Sequence, residues 1–232
     1  MQLTVRDAAK LLDVSEKTLY RWIGEKGIPV YKVNDQVRIS KAELLEWATA
    51  HKIQVFGDMF QDADSAGRPL PPLSKALEAG GAYYKVPGGT KEAVLKAMVE
   101  RLRVPPEIDR DFLLSVLLAR ESMGSTGIGD GIAIPHVRNP VVLHVAEPSV
   151  AVCFLDHPID FGAVDGKPVH TLFSLISPTP RAHLHLLSRL SAALYDPRFR
   201  EAVIRRAPFD ELLAEIQRIE ATAKPLPETR SI

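Results

Sequence analysis

Residues 53–73, IQVFGDMFQDADSAGRPLPPL, follow neither the helical nor the strand period, and they mix three aspartates with Gly67, Pro69, Pro71 and Pro72. A segment of that composition does not run through a packed core, so it divides the 232-residue chain into two blocks, 1–52 and 74–222, with a frayed tail at 223–232. Phe56 and Phe60 are the linker residues suited to an interdomain contact.

In the first block, Thr4-Val-Arg-Asp7 is a capping box, and Val5, Ala8, Ala9 and Leu12 follow at helical spacing. Ser15 caps a second helix with Leu19 and Ile23 on its inner face and Lys17, Thr18 and Arg21 facing away. After Gly27 and Pro29, VYKVNDQVRIS reads as a hairpin turning at Asn34-Asp35, with Lys32 and Arg38 on one face. Ser40-Lys-Ala-Glu43 is a second capping box, opening a helix that carries Leu44, Leu45 and Ala48.

The second block alternates helices with short buried strands. Val94, Leu95, Met98, Val99 and Leu102 stripe one helix, and another runs from about Glu107 to Glu121. SVAVCFLD and PVHTLFSLIS have the pattern of buried strands. Thr179-Pro180 starts a helix through RAHLHLLSRLSAAL, and APFDELLAEI forms the last. This order predicts an α/β sandwich.

Composition excludes several classes of function. Lys+Arg and Asp+Glu both number 29, so no global field favours nucleic acid or membrane. The start MQLTVRDAAK lacks the apolar core of a signal peptide, and no apolar run approaches the ~20 residues of a membrane span. Cys153, the single cysteine, cannot pair within the chain, which suits a reducing compartment. The expectation is a cytoplasmic protein without membrane contact.

Candidate chemistry concentrates in STGIGDGIAIPHVRNP, residues 125–140. A nucleotide P-loop fails here, because Asp130 and Gly131 stand where lysine and a hydroxyl are required. The glycines can still expose successive backbone N–H groups to an anion, with Ser125 and Thr126 as added donors. His136 ends the stretch directly after a rigid proline. A neutral imidazole has a nitrogen lone pair near pH 7 and can attack phosphorus. The phosphoryl group so acquired carries about two negative charges and needs donors around it. Zinc is a poorer use of these histidines: His183 and His185 diverge on a helix and cannot share a metal, and there is no H-E-x-x-H or cysteine pair. No cofactor is called for.

Arg120-Glu121, STGIGDGIAIPH and Arg181-Ala-His183-Leu-His185-Leu-Leu together resemble the type-2 IIA domain of the bacterial phosphotransferase system, nearest its nitrogen-regulatory and fructose/mannitol branch. The resemblance spans about residues 75–220 and implies a mixed sheet with helices on both sides. It also implies that His136 is the phosphoacceptor, that Arg120 steadies the phosphoryl oxygens, and that His183 is the second histidine beside it. The donor so implied is the histidine phosphocarrier protein. The residues agree in part: Arg120 ends an apolar helix just before the loop, and His183 shares a face with Leu186, Leu187 and Leu190, whereas His185 turns toward solvent.

The front block resembles the winged helix-turn-helix of excisionase and MerR-type regulators. That likeness implies a second helix in the DNA major groove through Lys17, Thr18 and Arg21, and a wing offering Lys32 and Arg38 to phosphates. Its nine Lys/Arg against seven Asp/Glu are a weak balance for DNA, so a scaffold for protein contacts stands beside that reading, and dimerisation would double the phosphate contacts. The combined expectation is a cytoplasmic phosphocarrier that accepts a phosphoryl group on His136 and couples it to regulation, with regulatory proteins and DNA as candidate partners. The alternative is a transcriptional regulator whose C-terminal domain docks partners or binds an anionic metabolite without phosphoryl transfer. Across a linker of some twenty residues, a charge at His136 is screened within about 8 Å, so any coupling between the blocks must pass through contact.

Overall fold

A computed structural model of the chain describes residues 2–33, 36–51, 53, 55, 70–137, 143 and 145–222. Phe56, Phe60, the Asn34-Asp35 turn and the tail lie outside them. No helix among the described residues is long and apolar enough to cross a membrane.

The N-terminal block runs β1 (Gln2–Thr4), α1 (Val5–Leu11), α2 (Glu16–Glu25), β2 (Tyr31–Val33), β3 (Gln36–Ser40) and α3 (Lys41–Ala50). The Thr4–Asp7 capping box forms in both directions, and Ser15 Oγ accepts from the Thr18 amide at 3.1 Å. β1, which carries too few residues to show a period, adds to the hairpin and makes a three-stranded antiparallel wing in the order β1-β3-β2. Leu3, Ala8, Leu19, Ile39, Leu44 and Trp47 close its core, and Trp47 Nε1 donates to the Lys26 carbonyl at 2.8 Å. The second capping box does not form. Ser40 makes no side-chain cap, and Glu43 instead accepts from the Tyr31 hydroxyl at 2.6 Å, because the wing brings that phenol within reach.

The larger block contains α4 (Leu73–Gly80), β4 (Ala82–Val86), α5 (Lys91–Arg101), α6 (Arg110–Ser122), β5 (Gly127–Gly129), β6 (Ile132–Ala133), β7 (Ser149–Ile159), β8 (Val169–Ile176), α7 (Pro180–Tyr195), α8 (Pro197–Ile204) and α9 (Phe209–Thr222). Its five strands form one mixed sheet in the order β4-β7-β8-β6-β5, flanked by helices on both faces. Strand parity explains the two cores. Ile132, Ile134, Val150, Val152, Phe154, Phe173 and Leu175 face α4, α7, α8 and α9. Ala133, Ala151, Cys153, Leu155 and Leu172 face α5 and α6. β7 and β8 therefore read as continuous apolar runs because both of their faces are covered.

The glycine stretch makes a hairpin. Asp130 (φ 53°) and Gly131 (φ 75°) form the two-residue link between β5 and β6, the Asp-Gly combination that turns with positive φ at both positions suit. A Cβ at Gly131 would meet the His170 ring at 2.3 Å, so a side chain there would also have to displace that ring.

The two blocks touch through α3. Leu45 packs into the core over α7, and Thr49 Oγ1 lies 2.9 Å from Ser191 Oγ in a buried contact.

Two glycines give a paired test of this packing. A Cβ at Gly80 of α4 would lie 2.2 Å from the Val150 carbonyl oxygen of β7, whereas one at Gly24 of α2 meets nothing within 4 Å. In an open helix, glycine to alanine stabilises by up to about 1 kcal/mol. Overpacking against backbone costs about 1–3 kcal/mol. Thermal and urea unfolding should therefore show Gly24→Ala raising stability and Gly80→Ala lowering it.

Candidate functional site

β6 and the residues after it set the direction of the central histidine. Alternation carries Ile132, Ile134 and His136 to the face covered by α7, and a backbone bridge from the Pro135 carbonyl to the Leu175 amide (3.2 Å) holds the chain against β8. His136 is 2% exposed, and its Nδ1 lies 2.6 Å from the Ile134 carbonyl oxygen. A carbonyl can only accept, so Nδ1 carries the hydrogen and Nε2 is the nitrogen turned toward the rest of the site.

Arg120 ends α6, where its Nη1 donates to the Gly124 carbonyl at 2.8 Å. Its Nη2 pairs with Glu46 of α3, from the N-terminal block. The other oxygen of the same carboxylate lies 2.8 Å from His136 Nε2. Burial by itself would raise the Glu46 pKa, but His136 and Arg120 overcome it and hold it down to about 2. An ionised Glu46 can only accept, so in this arrangement both ring nitrogens of His136 carry hydrogen.

His183 sits in the first turn of α7, whose start is fixed by Pro180 and by Thr179 Oγ1 accepting from the Ala182 amide at 3.1 Å. Its ring centroid is 5.1 Å from that of His136, and its Nδ1 is buried without a hydrogen-bond partner among the described residues. Burial foremost, then the neighbouring His136, pushes its pKa down to about 3, so the ring is neutral. His185 is buried too, with Nε2 3.1 Å from the Pro71 carbonyl oxygen. The solvent-facing position expected for it is corrected: α7 is covered along this side by the chain entering α4.

The loop before β5 is organised around a buried carboxylate. Glu121 accepts from the Thr126 hydroxyl, from the Thr126 amide at 3.2 Å and from Lys91 Nζ at 3.2 Å. Ser125 Oγ donates to the Phe161 carbonyl at 2.7 Å and accepts from the Gly127 amide. Ser125 and Thr126 both line the cavity beside His136, but in this conformation their hydroxyls are committed within the loop. The glycine amides form the β5–β6 hairpin, so the side chains that surround His136 Nε2 are Arg120, His183 and Glu46. The cavity, about 620 Å³, lies between the blocks, with Pro29, Tyr31 and Glu43 on one wall and Met123 and Val164 on the other.

Glu46 escaped the sequence reading. A signal was present: the apolar Leu44, Leu45, Trp47 and Ala48 spread over too much of the circumference of α3 for a helix with one partner, and the structure buries all four. The histidines that converge are also different from the pair first weighed for zinc, since Glu46, His136 and His183 bring ligand atoms within 4.8 Å. The fixed charge of Arg120 on that carboxylate opposes a metal cation there.

On the N-terminal block, Lys17 and Arg21 of α2 are exposed beside Tyr20, whereas the Thr18 hydroxyl lies 2.9 Å from Ser15 Oγ in the helix cap. Lys32 is exposed on β2, and Arg38 of β3 is half-buried and donates to Gln36 at 2.6 Å. The register pairs Tyr31 with Arg38 and Lys32 with Val37. Opposed residues share a face, so Lys32 and Arg38 point to opposite faces of the wing, which corrects the single basic face expected.

Two families match the chain over separate ranges. Residues 83–219 match the family described as phosphoenolpyruvate-dependent sugar phosphotransferase system, EIIA 2, and residues 3–52 match a helix-turn-helix domain family. A nitrogen regulatory protein of Pseudomonas aeruginosa is 41% identical over 147 residues, which cover 62% of this chain and 93% of the relative. A fructose-specific EIIA component of Haloferax volcanii is 34% identical over 136 residues, 56% of this chain and 86% of that one. The crystal structure of nitrogen regulatory protein IIA-Ntr from Neisseria meningitidis superposes with a TM-score of 0.52 at 28% identity, covering 62% of this chain and 94% of that one.

The buried histidines set an acid limit on stability. Burial holds His183 neutral down to about 3 and His185 down to about 4, whereas in the unfolded chain each titrates near ~6.5. The unfolded state then binds protons that the folded state refuses, so their contribution is complete above about pH 6.5 and is lost as the pH falls toward those folded values. The thermal midpoint should drop between pH 7 and pH 5. His185→Gln, whose amide can still reach the Pro71 carbonyl, should flatten that drop.

Proposed function

The chain belongs to the phosphoenolpyruvate-dependent sugar phosphotransferase system EIIA 2 family, and on that premise we propose that it is a phosphocarrier and regulator whose phosphoacceptor is His136. The observation that carries this reading is the setting of one nitrogen: Nδ1–H is anchored on the Ile134 carbonyl, and Nε2 is turned to a carboxylate that also pairs with Arg120, with the neutral His183 ring 5.1 Å from its own. With Nε2 free of a proton, its lone pair attacks the phosphorus of a donor phosphohistidine. The new P–N bond forms as the donor's P–N bond breaks, and the donor imidazole keeps that electron pair. Arg120 neutralises the phosphoryl oxygens, and His183 donates to one of them from a ring kept uncharged by burial. The donor is the histidine phosphocarrier protein, and the work is done in the cytoplasm.

Cys153 is unsuited to carry the group instead. It lies fully buried in β7, and burial pushes its thiol up to about 12. The exposed α2 face, with Lys17, Arg21 and Tyr20, supports DNA contact by the N-terminal domain, with Lys32 and Arg38 reaching phosphates from different faces of the wing. The nitrogen regulatory proteins among its relatives favour a regulatory output over sugar import.

Incubation with phosphoenolpyruvate, enzyme I and the histidine phosphocarrier should label the chain with acid-labile, base-stable phosphate. His136→Ala should abolish the label, and His183→Ala should slow transfer by about 10²–10³ while leaving the acceptor in place. Full labelling of His136→Ala would refute the assignment.

A further inference from the structure

We propose that the N-terminal domain is a built-in cap on the phosphoryl site, with Glu46 occupying the place of the phosphoryl group, so that docking of α3 and phosphorylation of His136 exclude each other. This rests on His136 being the acceptor and adds which state of the chain can accept. Glu46 engages the two groups an incoming phosphoryl would need: one oxygen meets Arg120 Nη2, and the other lies 2.8 Å from His136 Nε2. At that separation no phosphorus atom fits between carboxylate and ring. Approach from outside is closed as well, since His136 is 2% exposed and the Arg120 side chain 12%.

The cap also removes the nucleophile. Nδ1 faces the Ile134 carbonyl and Nε2 faces an ionised carboxylate, so each nitrogen holds a hydrogen and the ring has no lone pair for phosphorus. Withdrawing Glu46 removes the acceptor that keeps hydrogen on Nε2, and that proton can pass to solvent. Arg120 and His183 then stand open as an anion site. After transfer, the phosphoryl dianion on Nε2 holds Arg120 and repels the Glu46 carboxylate, so the cap cannot return.

The rest of α3 is shaped for this role. Leu45 is buried in the C-terminal core, and Thr49 meets Ser191 on α7. Leu44, Trp47 and Ala48 meanwhile belong to the N-terminal core, so the helix can leave without its own domain unfolding. The occupant of this surface is therefore a segment of the same chain, and the competitor for it is the phosphorylated donor protein.

The buried Thr49–Ser191 contact, with hydroxyl oxygens 2.9 Å apart, allows a reversible lock. In the full chain carrying Thr49→Cys and Ser191→Cys, oxidised glutathione should close a disulfide that pins α3, and dithiothreitol should reopen it. Cys153 is fully buried and does not compete. Transfer from the phosphorylated histidine phosphocarrier should be at least 10-fold slower in the oxidised form and return to the wild-type rate on reduction. Glu46→Ala in the unlocked chain should accept faster than wild type. Equal rates in oxidised and reduced forms, or no acceleration by Glu46→Ala, overturn the cap while leaving His136 labelled. No label in any of these chains overturns the phosphoacceptor reading itself, and the cap with it.

Discussion

One carboxylate ties the molecule together. Glu46 belongs to the N-terminal domain, yet both of its oxygens are spent on the C-terminal one, on Arg120 and on His136. A charge this far withdrawn from water is tolerable only when it is paired, and here two partners pair it. The same pairing holds the Arg120 guanidinium toward the cavity, beside the ends of β6 and α7. It also explains why the two domains, which have separate cores, meet at α3.

Much of the fold was legible because the signals were local. The Thr4–Asp7 box, the Ser15 cap, the Pro180 start of α7 and the apolar runs of β7 and β8 all appear where the sequence pattern puts them. What escaped was set by partners distant in sequence. β1 and β5 are three residues long, and β4, AYYKV, is read as a strand only once β7 lies beside it. Ser40 and Glu43 satisfied the capping pattern, but the hydroxyl of Tyr31 took the glutamate. Lys32 and Arg38 fall on opposite faces of the wing because the register of β2 against β3 pairs odd positions with even ones, which the residues on either strand do not themselves reveal.

The site divides in the same way. His136, Arg120 and His183 lie close together, each placed by an element the sequence announces. The hydroxyls of Ser125 and Thr126 could not be assigned from the sequence, because Glu121 and the Phe161 carbonyl compete for them, and competition is decided by distance in space. Glu46 is the extreme case. It stands 74 residues from Arg120 and 90 from His136, and a glutamate on a helix is on its own an ordinary surface residue.

The segment between α3 and α4 gains a meaning from this arrangement. Because about twenty residues join cap and acceptor, the cap is always present at an effective concentration on the order of millimolar, however dilute the protein. Abundance of the chain therefore has no influence on whether its site is covered. A carrier present at lower concentration must therefore bind the uncovered site more tightly than the cap does in order to displace it. Lengthening or shortening the connection would shift that threshold only logarithmically, so the segment acts as a coarse dial set by chain length.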